Sequence, residues 1–178
     1  MMNKTETIGI MAILKEAYPM YYKNKTKEEL NTAVNLWVEM FSDEDINLVK
    51  AAVKAYLAND IKGFPPVIGQ IKNSVYNLTN PGQMTEQEAW GLVYKAVGNG
   101  YYNSVEEFKK LPLTIQNVLG SHTQLIQWSQ MDSTTLQSVV ASNFMRSYKA
   151  RSQTEREYQK LPNDIKNLID STLLKIEG

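Results

Sequence analysis

The sequence predicts an all-α fold made of two small helical units. Apolar residues recur at helical spacing along most of the chain, with little of the strict alternation that half-buried strands show. A single segment rich in Asn, Pro and Gly, "LTNPGQM" at residues 78–84, interrupts this pattern and divides the chain. We therefore expect an N-terminal four-helix domain over residues 1–79, a linker over 80–84 and a C-terminal helical domain over 85–178.

Four apolar stripes predict the helices of the N-terminal domain. Each has further apolar residues three, four or seven positions after its first member, which places them on one face of a helix. The stripes begin at Ile10, Leu30, Ile46 and Ile68.

Capping sequences predict where several helices begin. In each, a hydroxyl side chain accepts a backbone N–H of the first turn, and an acid three residues later bonds back to the cap. This account explains the paired acids better than catalysis does, because adjacent acids do not share a helix face. The predicted pairs are Thr26 with Glu29, Ser42 with Asp45, Thr85 with Glu88, and Ser104 with Glu107.

The C-terminal domain is predicted to contain six helices. Pro112 and Pro162 each suit the junction between two helices, because proline is tolerated in the first turn but not in a helix interior. The glycines of "VGNGYYN" (residues 97–103) predict a helix end and a turn rather than a phosphate loop. The helices are expected near residues 85–98, 104–111, 113–119, 122–130, 133–159 and 163–176.

Composition excludes several classes of function. The chain has no cysteine and one histidine, His122, so thiolate chemistry and a multi-histidine metal site are excluded. We expect His122 to be a first-turn surface residue. Basic and acidic residues balance at 19 each, which disfavours tight binding to nucleic acid through its phosphates. No apolar run approaches the roughly 18 residues that a membrane helix needs.

The segment "FPPVIGQI" raises the possibility of a docking site. Gly63 can take the left-handed conformation that ends a helix, and Phe64 is held extended by the proline that follows it. Pro65 and Pro66 form a short stiff rod, with Pro66 expected at the first position of the next helix. Two interpretations remain open: Phe64 plugs the core at this corner, or Phe64, Pro65 and Pro66 form an exposed edge that binds a partner.

A second candidate surface lies in "NFMRSYKARSQTER", residues 143–156. All three arginines of the chain fall here, and Arg146 and Lys149 share a helix face. The segment could dock on an acidic protein surface, or contact single-stranded DNA with Tyr148 as a stacking platform. It could equally be a solvated helix face that neighbouring glutamates neutralise. The candidate binding residues are Arg146, Tyr148, Lys149, Arg151 and Arg156.

An ordered set of features resembles the N-terminal domain of the phage replicative-helicase loader/inhibitor family. That family has a first helix ending near Tyr-Pro, a second helix bearing Trp, an acidic entry to the third, and a Phe-Pro-Pro corner. Here the resemblance covers residues 6–78. The C-terminal half is similar more loosely, through "EAWGLVYKAVGNGYYNSVEEF" and "NFMRSYKA". The matching positions are Tyr18–Pro19, Trp37, Asp43 to Asp45, and Phe64 to Pro66.

The resemblance implies a binding protein and not an enzyme. Such proteins hold the hexameric replicative helicase, suppress its activity and deliver it to an origin-bound initiator, which is a second expected partner. They carry no ATPase, and the sequence contains no GxxxxGK[ST] motif. We expect no cofactor, weak or no nucleic-acid binding, no membrane association, and a location in the cytoplasm of the bacterial host. The alternatives are a nucleic-acid-binding replication accessory protein, or a helical adaptor, a class in which we include host-directed inhibitors.

Overall fold

The computed structural model describes residues 2–176, which form helices and loops without any strand. The predicted all-α fold is therefore confirmed. A π-helical turn, Leu136–Val140, joins the helix Ser133–Thr135 to the helix Ala141–Gln159 within one continuous run. The helices are α1 (Lys4–Ala17), α2 (Pro19–Tyr22), α3 (Lys27–Met40), α4 (Ile46–Asn59), α5 (Ile68–Thr79), α6 (Glu86–Lys110), α7 (Leu113–Leu119), α8 (Thr123–Ser129), α9 (Ser133–Thr135), α10 (Ala141–Gln159) and α11 (Asn163–Ile176).

The described residues group into two compact units. The front unit contains the chain up to Pro81 together with the segment from Lys160 onward, and the rear unit runs from Gly82 to Gln159. This grouping differs from the predicted division, in which residues 85–178 formed one domain. The difference has a local cause, because Lys160 Nζ donates to Asn73 Oδ1 over 3.1 Å and the Asn163 backbone N–H donates to Asp43 Oδ2 over 2.7 Å.

The front unit buries the predicted stripes of α1, α3, α4 and α5 against one another. Contacts between α4 and α5, and between α1 and α3, dominate this packing. The short helix α2, which the sequence analysis did not predict, adds Tyr22 to the core. Residues with almost no exposed surface are Ile10, Leu14, Phe41, Val49, Val53 and Ile71.

Two of the four predicted capping pairs are present as predicted. Thr26 with Glu29, and Thr85 with Glu88, form complete capping boxes at the starts of α3 and α6. The Ser42 prediction is wrong, because Asp45 itself is the N-cap of α4 and accepts from the Asn47 N–H over 2.7 Å. A shorter Asx cap therefore replaces the expected box.

The rear unit is built on α6, which packs chiefly against α8 and α10. The break predicted in "VGNGYYN" lies at the end of that motif: the helix runs through Gly98 and Gly100, and Asn103 (φ −124°, ψ 31°) is a non-helical kink that divides α6 into two helical segments. Ser104 directly follows this kink, as predicted, but its hydroxyl does not form the expected capping pair with Glu107. It is buried behind the kink, and its Oγ lies 3.2 Å from Nδ1 of His122, the N-cap residue of α8.

Gly100 explains why glycine occurs inside α6. A Cβ at this position would lie 2.9 Å from the backbone oxygen of Leu125 and 3.1 Å from its Cβ. Only a residue without a side chain lets α6 and α8 approach this closely. Glycine here therefore serves helix packing, and not the helix termination that the sequence pattern predicts.

A partly buried ion pair lies at the α3–α4 corner of the front unit. Lys72 of α5 is 5% exposed, and its Nζ lies 3.0 Å from Glu44 Oε1 and 5.0 Å from the centre of the Phe41 ring. The carboxylate and the ring face together stabilise an ammonium group that burial would otherwise penalise. The pair thus ties α5 to the turn that precedes α4.

Substitution of Gly100 by alanine should destabilise the protein, although alanine is the better helix former. We expect Gly100→Ala to lower the free energy of unfolding by about 1–3 kcal/mol, because the new methyl group must push α8 away. The matched control is Gly98→Ala, two residues earlier, where a Cβ meets nothing within 4 Å. That control should raise stability by about 0.5–1 kcal/mol. Urea unfolding of both variants tests this, and a stabilised Gly100→Ala would contradict the close approach.

Removal of Glu44 should cost more stability than removal of Lys72. Glu44→Ala leaves the buried ammonium of Lys72 unpaired, and we expect a loss of about 2–3 kcal/mol because Glu44 is partly solvated. Lys72→Met retains the apolar stem and should change stability by less than about 1 kcal/mol. Thermal and urea unfolding of both variants, and of the double variant, check this order. Equal losses from the two single substitutions would contradict it.

Candidate partner-binding surfaces

The loop between α4 and α5, Asp60 to Val67, presents the first predicted surface. Asp60 follows the last residue of α4, and its carboxylate accepts the backbone N–H groups of Lys62 (3.0 Å) and Gly63 (3.1 Å). Gly63 has φ +73°, the left-handed conformation that glycine adopts without strain. The Asp60 carboxylate thus stabilises a bend over residues 60–63, and Phe64 follows it.

Phe64 does not plug the core. Its side chain is 64% exposed, so of the two sequence-based interpretations the structure matches the exposed edge. Pro66 is buried and Pro65 is half-buried. The expectation that Pro66 opens the next helix is wrong, because Val67 is the N-cap of α5 and Ile68 its first residue. A role of Phe64, Pro65 and Pro66 in partner binding stays a prediction.

The extended backbone explains which side chains face solvent. Val67 has φ −83° and ψ 155°, which is polyproline II geometry, and the rings of Pro65 and Pro66 impose a similar φ. This geometry has three residues per turn, so Phe64 and Val67 lie on the same edge. Val67 is 66% exposed. The prolines therefore place two large apolar side chains side by side, while Pro66 packs inward.

Two tyrosine hydroxyls connect this loop to the helices. Tyr18, the buried C-cap residue of α1, donates its hydroxyl to Asp60 Oδ2 over 2.9 Å. Tyr56 of α4 donates to the backbone oxygen of Phe64 over 3.2 Å. Burial, and then the bond to Asp60, raise the pKa of Tyr18 to about 12. Several hydrogen bonds hold the pKa of Asp60 below its ordinary value, and the bond from the Lys62 N–H has the largest effect.

An open cleft of about 440 Å³ adjoins the Tyr18–Asp60 bond. Met20, Leu57 and Gly63 are among its lining residues. Met20 is 81% exposed, so one of the side chains that line the cleft is a large apolar group facing solvent. The loop shares Asp60 and Gly63 with the lining of this cleft.

The second predicted surface, on α10 of the rear unit, is only partly exposed. Tyr148 is 7% exposed and stacks on Phe144, with ring centres 6.0 Å apart. The interpretation of Tyr148 as a stacking platform for bases is therefore wrong. Its ring belongs to an aromatic cluster in which Trp90 and Trp128 also contact Phe144, at 5.6 and 6.5 Å.

The basic side chains of α10 lie among acidic ones. Arg146, Lys149 and Arg151 are exposed, whereas Arg156 is half-buried. Lys149 Nζ lies 3.6 Å from Glu86 Oε1, and Arg151 Nε lies 3.8 Å from Oε1 of Glu155. Exposed pairs at these distances contribute little stability. The exposed cations remain able to exchange these partners for an acidic surface.

The sequence analysis missed the residues that hold the α4–α5 loop. Ile61 is 97% exposed, and neither it nor Val67, Tyr18 or Asp60 was among the predicted site residues. One signal was available: in "DIKG", an Asp two and three residues before potential N–H donors favours an Asx turn. The partnership with Tyr18 is a contact across 42 positions and leaves no local pattern.

Other kinds of site receive no support within residues 2–176. No group of three or more His, Cys, Asp or Glu side chains there could hold a metal ion. In the same part of the chain, no helix combines the length and apolarity needed to cross a membrane. The exposed apolar loop and the cations of α10 are the two surfaces that the sequence analysis predicted.

Comparison with known proteins finds a family match within the front unit. Residues 2–72, less than half of the chain, match the family model of the gp39P-like N-terminal domain of phage helicase loader/inhibitors. The comparisons with curated proteins and with solved structures found no match. The matched range contains α1 to α4, the whole α4–α5 loop and the beginning of α5. The match over residues 2–72 confirms, for this range, the predicted resemblance to the phage helicase loader/inhibitor family.

Proposed function

We propose that this protein is a phage DNA-replication accessory protein that binds the hexameric replicative helicase. It acts by protein–protein contact, in the cytoplasm of the bacterial host, and it loads or inhibits the helicase without catalysing a reaction itself. The observation that carries the proposal is the gp39P-like N-terminal domain at residues 2–72. An origin-bound initiator is the second partner, to which the helicase is delivered.

The exposed apolar loop supports contact through the front unit. Phe64 and Val67 present large apolar side chains to solvent within the matched domain. Aromatic side chains that enter a partner's pocket are frequent hot spots of protein interfaces. We assign the helicase contact to this loop, with Phe64 as its central anchor.

The mechanism is a shift between states of the helicase ring. Binding can bias the ring only if the protein has a higher affinity for one of its states. We propose that the preferred state does not translocate, so that occupancy alone suppresses activity. Contact with the initiator then lowers this affinity and releases the helicase at the origin.

The exposed cations of α10 serve as a secondary, electrostatic contact. Arg146 and Lys149 lie one helical turn apart and would steer the protein toward an acidic helicase surface. DNA binding is less well supported. The chain is neutral overall, and the aromatic ring closest to these cations in sequence, Tyr148, is buried.

Truncation of Phe64 should weaken helicase binding without unfolding the protein. We expect Phe64→Ala to raise the Kd for the replicative helicase by about 10- to 100-fold, as for an interface anchor. The melting temperature should stay close to that of the wild type, because the side chain is 64% exposed. Size-exclusion chromatography with light scattering, with and without ATP, detects the complex, and surface plasmon resonance measures its affinity.

The matched control for this experiment is Tyr102→Ala. Tyr102 is an aromatic residue of α6 that is 87% exposed, and it belongs to the other unit. The control should leave the affinity unchanged. Equal weakening by both variants would argue against a specific contact at Phe64. Failure of the wild-type protein to form a complex in any nucleotide state, together with binding of fluorescent single-stranded DNA, would favour the nucleic-acid alternative.

Removal of two α10 cations should slow association in a salt-dependent manner. We expect Arg146→Ala/Lys149→Ala to lower the association rate constant by about 3- to 10-fold at low salt, and much less near 1 M salt. Lys95→Ala/Lys109→Ala removes the same charge from exposed positions of α6 and should have a smaller effect. Stopped-flow or plasmon-resonance kinetics compare the two. Identical slowing by both pairs would indicate an effect of net charge alone.

A further inference from the structure

In the α4–α5 loop, exposed apolar side chains occur on a backbone that side-chain hydrogen bonds hold in place. Asp60 holds the N–H groups of Lys62 and Gly63, and the Tyr56 hydroxyl holds the backbone oxygen of Phe64. The side chains of Ile61 and Phe64 nevertheless face solvent at 97% and 64% exposure. Hydrogen bonds thus hold the backbone of the loop, while the side chains of Ile61 and Phe64 contribute little to the core.

The anchors do not serve the end of α4. Asp60 is the C-cap residue of that helix, but its carboxylate bonds forward, to the N–H groups of the turn. The orphan groups at a helix C-terminus are carbonyl oxygens, which a carboxylate cannot satisfy. At this end of α4 it is the Asn59 side chain that donates to a carbonyl, that of Ala55. The carboxylate of Asp60 therefore stabilises the loop and not the end of α4.

Tyr18 couples this turn to a different helix. Its hydroxyl comes from the C-terminus of α1, where its ring is buried, and reaches Asp60 Oδ2 over 2.9 Å. The same oxygen also accepts from the Gly63 N–H. Near neutral pH the phenol is protonated and the carboxylate is ionised, so donor and acceptor are matched. The turn is consequently stabilised by a hydrogen bond from α1 as well as by the bonds within the turn.

We infer that Tyr18 and Asp60 are positioning residues, which hold Ile61 and Phe64 ready to enter an apolar cleft on the replicative helicase. This inference rests on the proposed function. A loop that is ordered before binding loses less conformational freedom when the complex forms, which raises affinity without adding a contact. Tyr18 and Asp60 would touch no part of the helicase and would act through the geometry of Phe64.

A double-mutant cycle tests this indirect action. Tyr18→Phe removes one hydroxyl and keeps the buried ring, and it is made alone and together with Phe64→Ala in the full-length chain. We expect Tyr18→Phe to raise the Kd for the helicase about 5-fold in the wild-type background, the loss of one hydrogen bond. In the Phe64→Ala background the same substitution should have a clearly smaller effect, because only Ile61 is left for Tyr18 to position.

The matched control is Tyr22→Phe, a buried tyrosine of the same unit in the neighbouring helix α2. Tyr22→Phe also removes one phenol hydroxyl, but it leaves the bond to Asp60 intact. This control should leave helicase affinity unchanged. A general structural role would predict equal losses from Tyr18→Phe in both backgrounds, and that result would overturn the inference. Comparable weakening by Tyr22→Phe would overturn it as well.

Amide hydrogen exchange separates this inference from the proposed function. In Tyr18→Phe the amides of Lys62 and Gly63 should exchange several-fold faster, while those in the middle of α4 keep their rates. If the wild-type protein binds no helicase, the proposed function fails, and faster exchange would still support Tyr18 as the residue that orders the loop. Unchanged exchange at both amides would refute that ordering whatever the helicase result.

Discussion

The extended backbone that two consecutive prolines impose between α4 and α5 determines what the front unit buries and what it exposes. Pro65 and Pro66 cannot donate hydrogen bonds and fix their own φ angles, so α4 cannot continue through them. The segment must instead run in polyproline II geometry until Val67 caps α5. Its period of three turns Pro66 into the protein and leaves Phe64 and Val67 outside. Hydrogen bonds from the surrounding helices complete the arrangement.

The two units solve the problem of packing helices in different ways. The front unit uses long-range polar contacts, from Tyr18 to Asp60 and from Lys72 to Glu44, to fix its corners. The rear unit uses close backbone approach and aromatic packing, with Gly100 against α8 and Phe144 among the tryptophans. Each unit has its own hydrophobic cluster. Specific surface features can therefore be altered in one unit with little effect on the core of the other.

Local physics makes most of the fold predictable, and long-range contacts account for the errors. Apolar periodicity locates the main helices, and Thr26 and Thr85 cap theirs as their sequences indicate. The glycines of "VGNGYYN" predict the interruption too early: the helix runs through them and is broken only at Asn103, because the reason for Gly100 lies 25 positions away at Leu125. The cationic neighbours of Tyr148 suggest a surface residue. Its position on the buried face of α10 depends instead on Phe144 and the rear-unit core.

The candidate site is predictable to a smaller extent than the fold. The Phe-Pro-Pro order indicates the α4–α5 loop, because proline has a strong and local effect on its neighbours. Whether Phe64 faces the core or the solvent cannot be read from the sequence. Both outcomes suit an extended segment, and the decision depends on how Tyr56 and Asp60 place the chain. Tyr18 can be connected with this loop only through the folded structure.

The close approach at Gly100 has a consequence for how sequences of this kind can diverge. A mutation that adds any side chain there meets the backbone of Leu125, which no single substitution at residue 125 can remove. Drift at this position therefore requires α8 to move as a whole, a change that several simultaneous substitutions would have to accompany. Gly98 has open space around it and can be replaced freely. Gly98 and Gly100 are thus under very different packing constraints. A related chain without a glycine at the position of Gly100 must pack α8 against α6 in a different way.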